Sequence, residues 1–212
     1  MPEQASPRAR NSQSGESRRE RNKRDKLARI VAAARALFQT QGYDKTTTQQ
    51  IARAAEIASG TLFLYAKSKE DLLLLVFNDE MRELIERVYA ELPDDDDVVE
   101  AAMGLFKGFI DYHEQDVDIA RALIRELTFV SNPERSDEVR ATVTAIRAKL
   151  GSIVTRGIER GQLSTEVDVR MLSNIMFALY YQQLQAWLGG GTPREKMERR
   201  LMSMLHFVAG RA

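Results

Sequence analysis

Apolar positions recur along most of this chain at spacings of three and four, the period of an α-helix, and nowhere alternate long enough for a strand. Leu27, Ile30, Ala34, Leu37 and Phe38 share one face and predict a first helix over about residues 23–40, stopped by Gly42. Thr47 and Gln50 stand three apart ahead of Ile51 and Ala55, the capping-box spacing that opens a second helix. A very short third helix is expected from about Ala58 to Tyr65. Ser68, with Asp71 three positions on, opens a long fourth that carries Leu72, Val76, Leu84, Ile85 and Val88 to about Glu91, just before Pro93. Further helices are expected over about 97–114, 116–130, 134–160 and 166–188, the last broken by Gly189-Gly190-Gly191. Thr192, Pro193 and Glu195 then predict a capping box with proline at the first helical position, and a final helix to about Ala209. The fold class is all-α.

Charge changes the picture. The 212 residues carry no net charge, yet Met1 to Lys69 hold 14 Lys and Arg against 6 Asp and Glu, and the remainder is acidic by the same margin. Such asymmetry suggests two tasks in one chain, although a basic tail on an ordinary acidic domain gives the same numbers. Residues 1 to 20 are rich in Ser, Arg, Gln and Glu and poor in large apolar side chains, so they are expected to be a disordered basic arm. The run from Arg18 to Arg24 ends that arm and opens the first helix. The four aspartates from Asp94 to Asp97 read as a solvated loop whose charge favours the next helix N-terminus. There is no cysteine, which excludes disulfides and thiolate chemistry and fits a reducing cytoplasm. No secretory leader is seen, and the longest apolar run, Ile175 to Tyr181, is too short to cross a bilayer.

Two short helices joined by a three- or four-residue turn form a helix-turn-helix, whose second helix must be exposed enough to enter a major groove. Residues 47–55 and 58–65 have that layout. Thr46, Thr47 and Thr48 cluster at a helix N-terminus, Lys69 stands at the start of the fourth helix, and Thr61 and Tyr65 lie one turn apart on one face. Gln49 is long enough for a base edge or a phosphate. Each threonine taken alone is equally well explained as a cap.

The stretch from Gly42 to Leu73, GYDKTTTQQIARAAEIASGTLFLYAKSKEDLL, resembles the DNA-binding domain of the TetR family of transcriptional regulators. The similarity rests on Gly42-Tyr43, Thr46-Thr47 before Ile51-Ala52, Gly60-Thr61-Leu62-Phe63 and Ser68-Lys69-Glu70-Asp71-Leu72. It implies an N-terminal three-helix DNA-binding domain over 21–68 and a C-terminal helical ligand-binding and dimerisation domain over 69–212. It implies that Thr46 and Thr47 cap the second helix and touch the DNA backbone, with Thr48 and Gln49 close to the duplex. Ser59, Gly60, Thr61, Leu64 and Tyr65 then match positions that face the groove or its phosphates, and Lys69 a phosphate-binding lysine. The sequence departs from the family pattern at Glu56, where glycine is usual in the turn, at Ala58 in place of a capping Ser or Thr, and at Ala66 in place of Phe. Leu64 supplies an apolar contact where a polar reader is common.

One short helix makes too few contacts for specific binding, so the resemblance implies a homodimer on a palindromic double-stranded operator. The last two helices carry more apolar surface than one bundle needs. Leu172, Ile175, Leu179, Leu201, Leu205 and Val208 are the expected dimer residues, unless they are buried within one chain. Phe106, Phe109, Ile110, His113, Leu123, Leu127, Phe177, Tyr180 and Tyr181 mix large apolar with hydrogen-bonding side chains and are candidates for the wall of a pocket that takes an unknown small-molecule effector. The reading is a repressor released from DNA by a small apolar ligand. A helical protein–protein adaptor is the alternative. Enzyme chemistry is not expected: His113 and His206 are the only histidines, His113-Glu114 lacks the second His of a zinc-protease motif, and the three glycines at 189–191 lack the Lys-Ser/Thr of a phosphate loop. Neither cofactor nor metal is implied.

Overall fold

The computed structural model describes residues 18–128 and 133–210. Nine helices and no strand occur among them: α1 (Arg18–Gln41), α2 (Thr48–Ala54), α3 (Ser59–Leu62), α4 (Lys69–Ala90), α5 (Val98–Glu114), α6 (Val117–Thr128), α7 (Pro133–Glu159), α8 (Val169–Leu188) and α9 (Arg194–Ala209). The expected arm lies mostly outside the described residues, but α1 begins at Arg18, so its last three residues are helical.

The starts and stops follow the local chemistry. Gly42 takes φ +80° and its N–H closes on the Phe38 carbonyl, ending α1. Thr47 caps α2: its hydroxyl oxygen accepts from the Gln50 N–H, and the Gln50 side chain accepts from the Thr47 N–H at 2.8 Å. At α4 the Ser68 hydroxyl accepts from the Asp71 N–H, and the Asp71 carboxylate accepts from the Lys67 N–H at 2.9 Å. Asp97 closes the aspartate loop by capping α5 in a box with Glu100. Two starts depart from expectation. Asp168 caps α8, placing its first turn later than residue 166. The Thr192–Glu195 box does not form: Pro193 (ψ 150°) is itself the extended cap residue, Thr192 is buried before it, and Arg194 leads the helix. Arg194 is drawn there by an ion cluster, bonding Glu198 at 2.7 Å along α9 and Asp111 and Glu114 on α5.

Ile30, Ala34 and Phe38 of α1 meet Ile51 of α2 and Leu62 after the turn, all essentially inaccessible to water. This small core continues into α4, which is buried almost continuously from Asp71 to Asn78 and joins the N-terminal unit to the rest. The body packs α4, α7, α8 and α9 side by side around α5. A methyl added at Gly157 of α7 would lie 2.0 Å from Val98 of α5, so that crossing depends on the bare backbone.

Candidate DNA-reading surface and effector cavity

The helix-turn-helix turn contains a strained residue. Glu56 has φ 54°, the only positive value among the described non-glycine residues. Its N–H bonds the Arg53 carbonyl and the next N–H reaches Ala52, so the reversal after α2 demands the left-handed conformation despite the side chain. Beyond it, α3 is a single regular turn. Its cap residue Ala58 offers no side-chain bond, and the segment continues as turns through Tyr65, shorter than the helix expected to residue 65. Leu62 points into the core, while Ser59 and Gly60 are exposed, Thr61 and Tyr65 half-buried, and Leu64 is 77% exposed. Phe63, absent from the expected contact residues, is also exposed. The signal for it was present: on a one-turn helix, three successive apolar residues cannot all face one core.

The threonines divide. Thr47 and Gln49 are exposed and Thr48 half-buried at the start of α2, whose first N–H groups have no place in the helix ladder. Thr46 corrects the expectation. Its side chain is buried, and its hydroxyl donates to the carbonyls of Gly42 (2.8 Å) and Leu37 (3.2 Å). It ties the 42–46 loop to α1 and leaves the capping of α2 to Thr47 alone. Lys69 anchors the same loop from the other side. Its ammonium donates to the carbonyls of Tyr43 (3.0 Å) and Asp44 (3.3 Å) and sits 4.3 Å over the Tyr43 ring, leaving one of its three protons unassigned. The Tyr43 hydroxyl in turn donates to Glu70, and burial first, then that carboxylate, pushes the phenol well above its ordinary value.

The body holds a half-open cavity of about 400 Å³. Phe77 and Met81 of α4 and His113 of α5 form one side, and Ile124 and Leu127 of α6 another. Val139, Thr142, Val143, Ile146 and Arg147 of α7 face Phe177, Tyr180, Tyr181 and Leu184 of α8. The lining is mostly apolar. Thr142 donates its hydroxyl to Asn78 of α4, and the exposed Arg147 guanidinium lies 5.0 Å over the Phe177 ring. His113 is the exception: it is buried, its Nδ1 has no hydrogen-bond partner, and burial lowers its pKa to about 4, keeping it neutral. His113 and Phe77 also line a second, smaller pocket that extends to Arg35 and Phe38 of α1.

Five of the nine expected pocket residues therefore line the large cavity: His113, Leu127, Phe177, Tyr180 and Tyr181. Phe106, Phe109 and Ile110 do not. They lie deeper along α5, where Phe106 stacks on Tyr180 at 4.6 Å and Phe109 meets its edge, so they back the wall instead of forming it. Leu123 faces the smaller pocket. A similar division holds on α8 and α9. Leu172, Leu201 and Leu205 are buried within the chain itself and are unavailable to a second copy, correcting that part of the expected interface. The outward face is instead Met171 (61% exposed), Ile175 and Phe207, with the half-buried Leu179 and Val208 beside them.

The family described as "Bacterial regulatory proteins, tetR family" matches residues 30–76, and "Tetracyclin repressor-like, C-terminal domain" matches residues 92–205. The "Fatty acid metabolism regulator protein" of Bacillus subtilis is 27% identical over 168 residues, covering 79% of this chain and 86% of the relative. Among solved structures, the TetR-family transcriptional repressor FadR of Thermus thermophilus, in complex with lauroyl-CoA, superposes with a TM-score of 0.69 at 26% identity, covering 86% of this chain and 92% of that one. FadR from Bacillus subtilis in complex with stearoyl-CoA shares the fold, with a TM-score of 0.65 at 24% identity, covering 86% and 97% of the two chains. An exposed one-turn reading helix on a small N-terminal core, carried by α4 from a helical body with its own cavity, is thus the arrangement of a DNA-binding transcriptional regulator, and the chain belongs to the TetR family.

Proposed function

We propose that this protein is a homodimeric repressor of a palindromic operator, released by a long-chain fatty acyl-CoA. The observation that carries the ligand class is the cavity: a half-open, largely apolar volume of about 400 Å³ with a cationic side chain, Arg147, exposed at its rim. An alkyl chain gains about 0.8 kcal/mol for each methylene it buries, so a chain of roughly a dozen carbons has ample driving force to enter. The phosphates of the nucleotide portion stay in water, within reach of Arg147. The lauroyl-CoA complex of the Thermus relative supports the same class.

On the DNA side, Ser59, Gly60, Thr61, Leu64 and Tyr65 meet the groove, with Leu64 against a thymine methyl. Thr47, Thr48, Gln49 and Lys69 meet the phosphates. Met171, Ile175, Leu179, Phe207 and Val208 form the face shared by two copies, placing two reading helices on successive grooves. The adaptor alternative is not favoured, because it leaves the helix-turn-helix unexplained.

Selection of genomic fragments by the full-length protein, followed by titration with lauroyl-CoA, tests the reading. A palindromic consensus whose binding is lost as lauroyl-CoA is added is the expected result. Affinity should climb about fourfold per added methylene, the ratio set by 0.8 kcal/mol, until the cavity is full. A consensus without two-fold symmetry would remove the dimer, and release by CoA alone as well as by its acyl esters would remove the acyl chain from the mechanism.

A further inference from the structure

Arg135 stands on the first turn of α7, and its guanidinium Nη2 donates to the main-chain carbonyl of Tyr65 at 2.9 Å. The side chain is buried, its Nη1 pairs with Glu138, and its Nε has no partner. A buried guanidinium with one donor left unsatisfied is a costly arrangement to maintain, and what it holds is the C-terminal end of the reading segment. That segment has few anchors of its own. It is one turn long and lacks a side-chain cap at Ala58, and Leu62 is its one fully buried side chain, so its C-terminal turn gains from an external hold.

We infer that Arg135 is a positioning residue for DNA reading: it fixes the turn that follows α3 against α7 and carries movements of the cavity wall to the reading helix. The inference rests on the proposed effector cavity, because the same face of α7 forms both parts. Val139, Thr142 and Ile146 follow Arg135 at i+4, i+7 and i+11, one stripe of the helix, and all three line the cavity. Thr142 also bonds Asn78 of α4 at 2.9 Å, so α7 pivots on the connecting helix and not in open space. A ligand that displaces this stripe tilts α7 and with it the group gripping Tyr65. The effector state and the DNA-bound state then differ in whether that grip is held in register, the unequal interaction that coupling requires.

Arg135→Met keeps the buried stem and removes the donors, whereas Arg135→Lys restores a single donor. Amide exchange in the free protein, operator affinity, and operator affinity with saturating lauroyl-CoA are to be measured on all three proteins. In Arg135→Met, exchange over residues 61–66 should rise at least tenfold with residues 30–38 of α1 unchanged. Free-state operator affinity should fall at least fivefold, the ratio of affinities without and with lauroyl-CoA should shrink toward one, and Arg135→Lys should recover part of each. Unchanged exchange at 61–66, or a rise spread evenly over the chain, overturns the inference, as does wild-type operator affinity in Arg135→Met. If lauroyl-CoA fails to release the wild-type protein, the effector reading fails, and the exchange and free-state affinity still decide whether Arg135 positions the helix.

Discussion

Residues 18–66 and the helices from α5 to α8 use opposite strategies with similar materials. The N-terminal unit hides a small core of Ile30, Ala34, Phe38, Ile51 and Leu62 and puts its chemistry outside, with Ser59, Gly60 and Leu64 exposed on one short turn. The body does the reverse: its sequence is acidic in balance, and its distinctive groups, His113, Tyr180 and Phe177, line a half-open cavity. Polar contacts that tie the N-terminal unit to the rest include two that lie outside the loop at 42–46. Arg35 of α1 pairs with Glu80 of α4 at 2.7 Å, and Arg135 of α7 holds the Tyr65 carbonyl. A reader that is exposed and weakly self-stabilised, fastened to a body that can change its interior, is the layout expected where binding in one place alters binding in the other.

The largest effect should come from a residue in neither site. Ile175→Arg places a charge on the outward face of α8, 40% exposed in the single chain. If two copies meet there, sedimentation should show monomers, and operator affinity should fall by about two orders of magnitude or more, because each half-site is then bound alone. Lauroyl-CoA binding should stay within twofold, since Ile175 is not on the cavity wall. A dimer that survives Ile175→Arg would move the interface elsewhere.

Acid should separate the two regions next. Burial holds the folded-state pKa of His113 at about 4, below the 6.5 expected in the unfolded chain. Between those values the unfolded state binds more protons, so stability is full above pH 6.5 and declines as pH falls toward 4, by about 3 kcal/mol in all. Urea unfolding of the wild type and His113→Phe across this window should therefore give different slopes of stability against pH, with the histidine's share missing from the variant. Equal slopes would mean that the ring is hydrated in solution.

The sequence disclosed the N-terminal unit better than the body, for a physical reason. Caps and turns are local: the Thr47–Gln50 box, the Gly42 stop, the Ser68 start and the exposed Leu64 all depend on residues within a few positions of each other. The role of Thr46 is not legible, because a hydroxyl beside a cap can serve the cap or turn inward, and only the position of the Leu37 carbonyl decides. On α8 and α9, apolar residues occupy more than one stripe. Periodicity finds the stripes and cannot say which one the chain keeps: Leu172, Leu201 and Leu205 lie in the core, and Met171 and Phe207 face outward. Arg135 and Tyr65 are 70 positions apart, and nothing local marks either as the other's partner.

Lys69→Ala is the third measurement, smaller than the first two. If the remaining ammonium proton meets a phosphate, the slope of log affinity against log salt should become less steep by about 0.9, and affinity should fall severalfold on all sequences alike. Loss of the bonds to Tyr43 and Asp44 predicts a different signature, faster exchange in the 42–46 loop at an unaltered salt slope. The expected result is both changes together. A slope identical to wild type would make Lys69 a support for the loop alone.

The smallest expected effect is also the most local. Glu56 carries a side chain at φ 54°, a conformation that costs a non-glycine residue about 1 kcal/mol. Its contact with Arg29, at 3.9 Å between well-exposed groups, offsets little of that. Glu56→Gly relieves the strain but gives the unfolded chain more freedom, so the net gain should be about 0.5 kcal/mol. If the reading unit opens separately from the body, that gain should appear as slower amide exchange in α2 and α3, with α5 and α8 unchanged. If the whole chain unfolds as one, every slow amide should gain alike, and the division between the two regions would then be one of chemistry and not of stability.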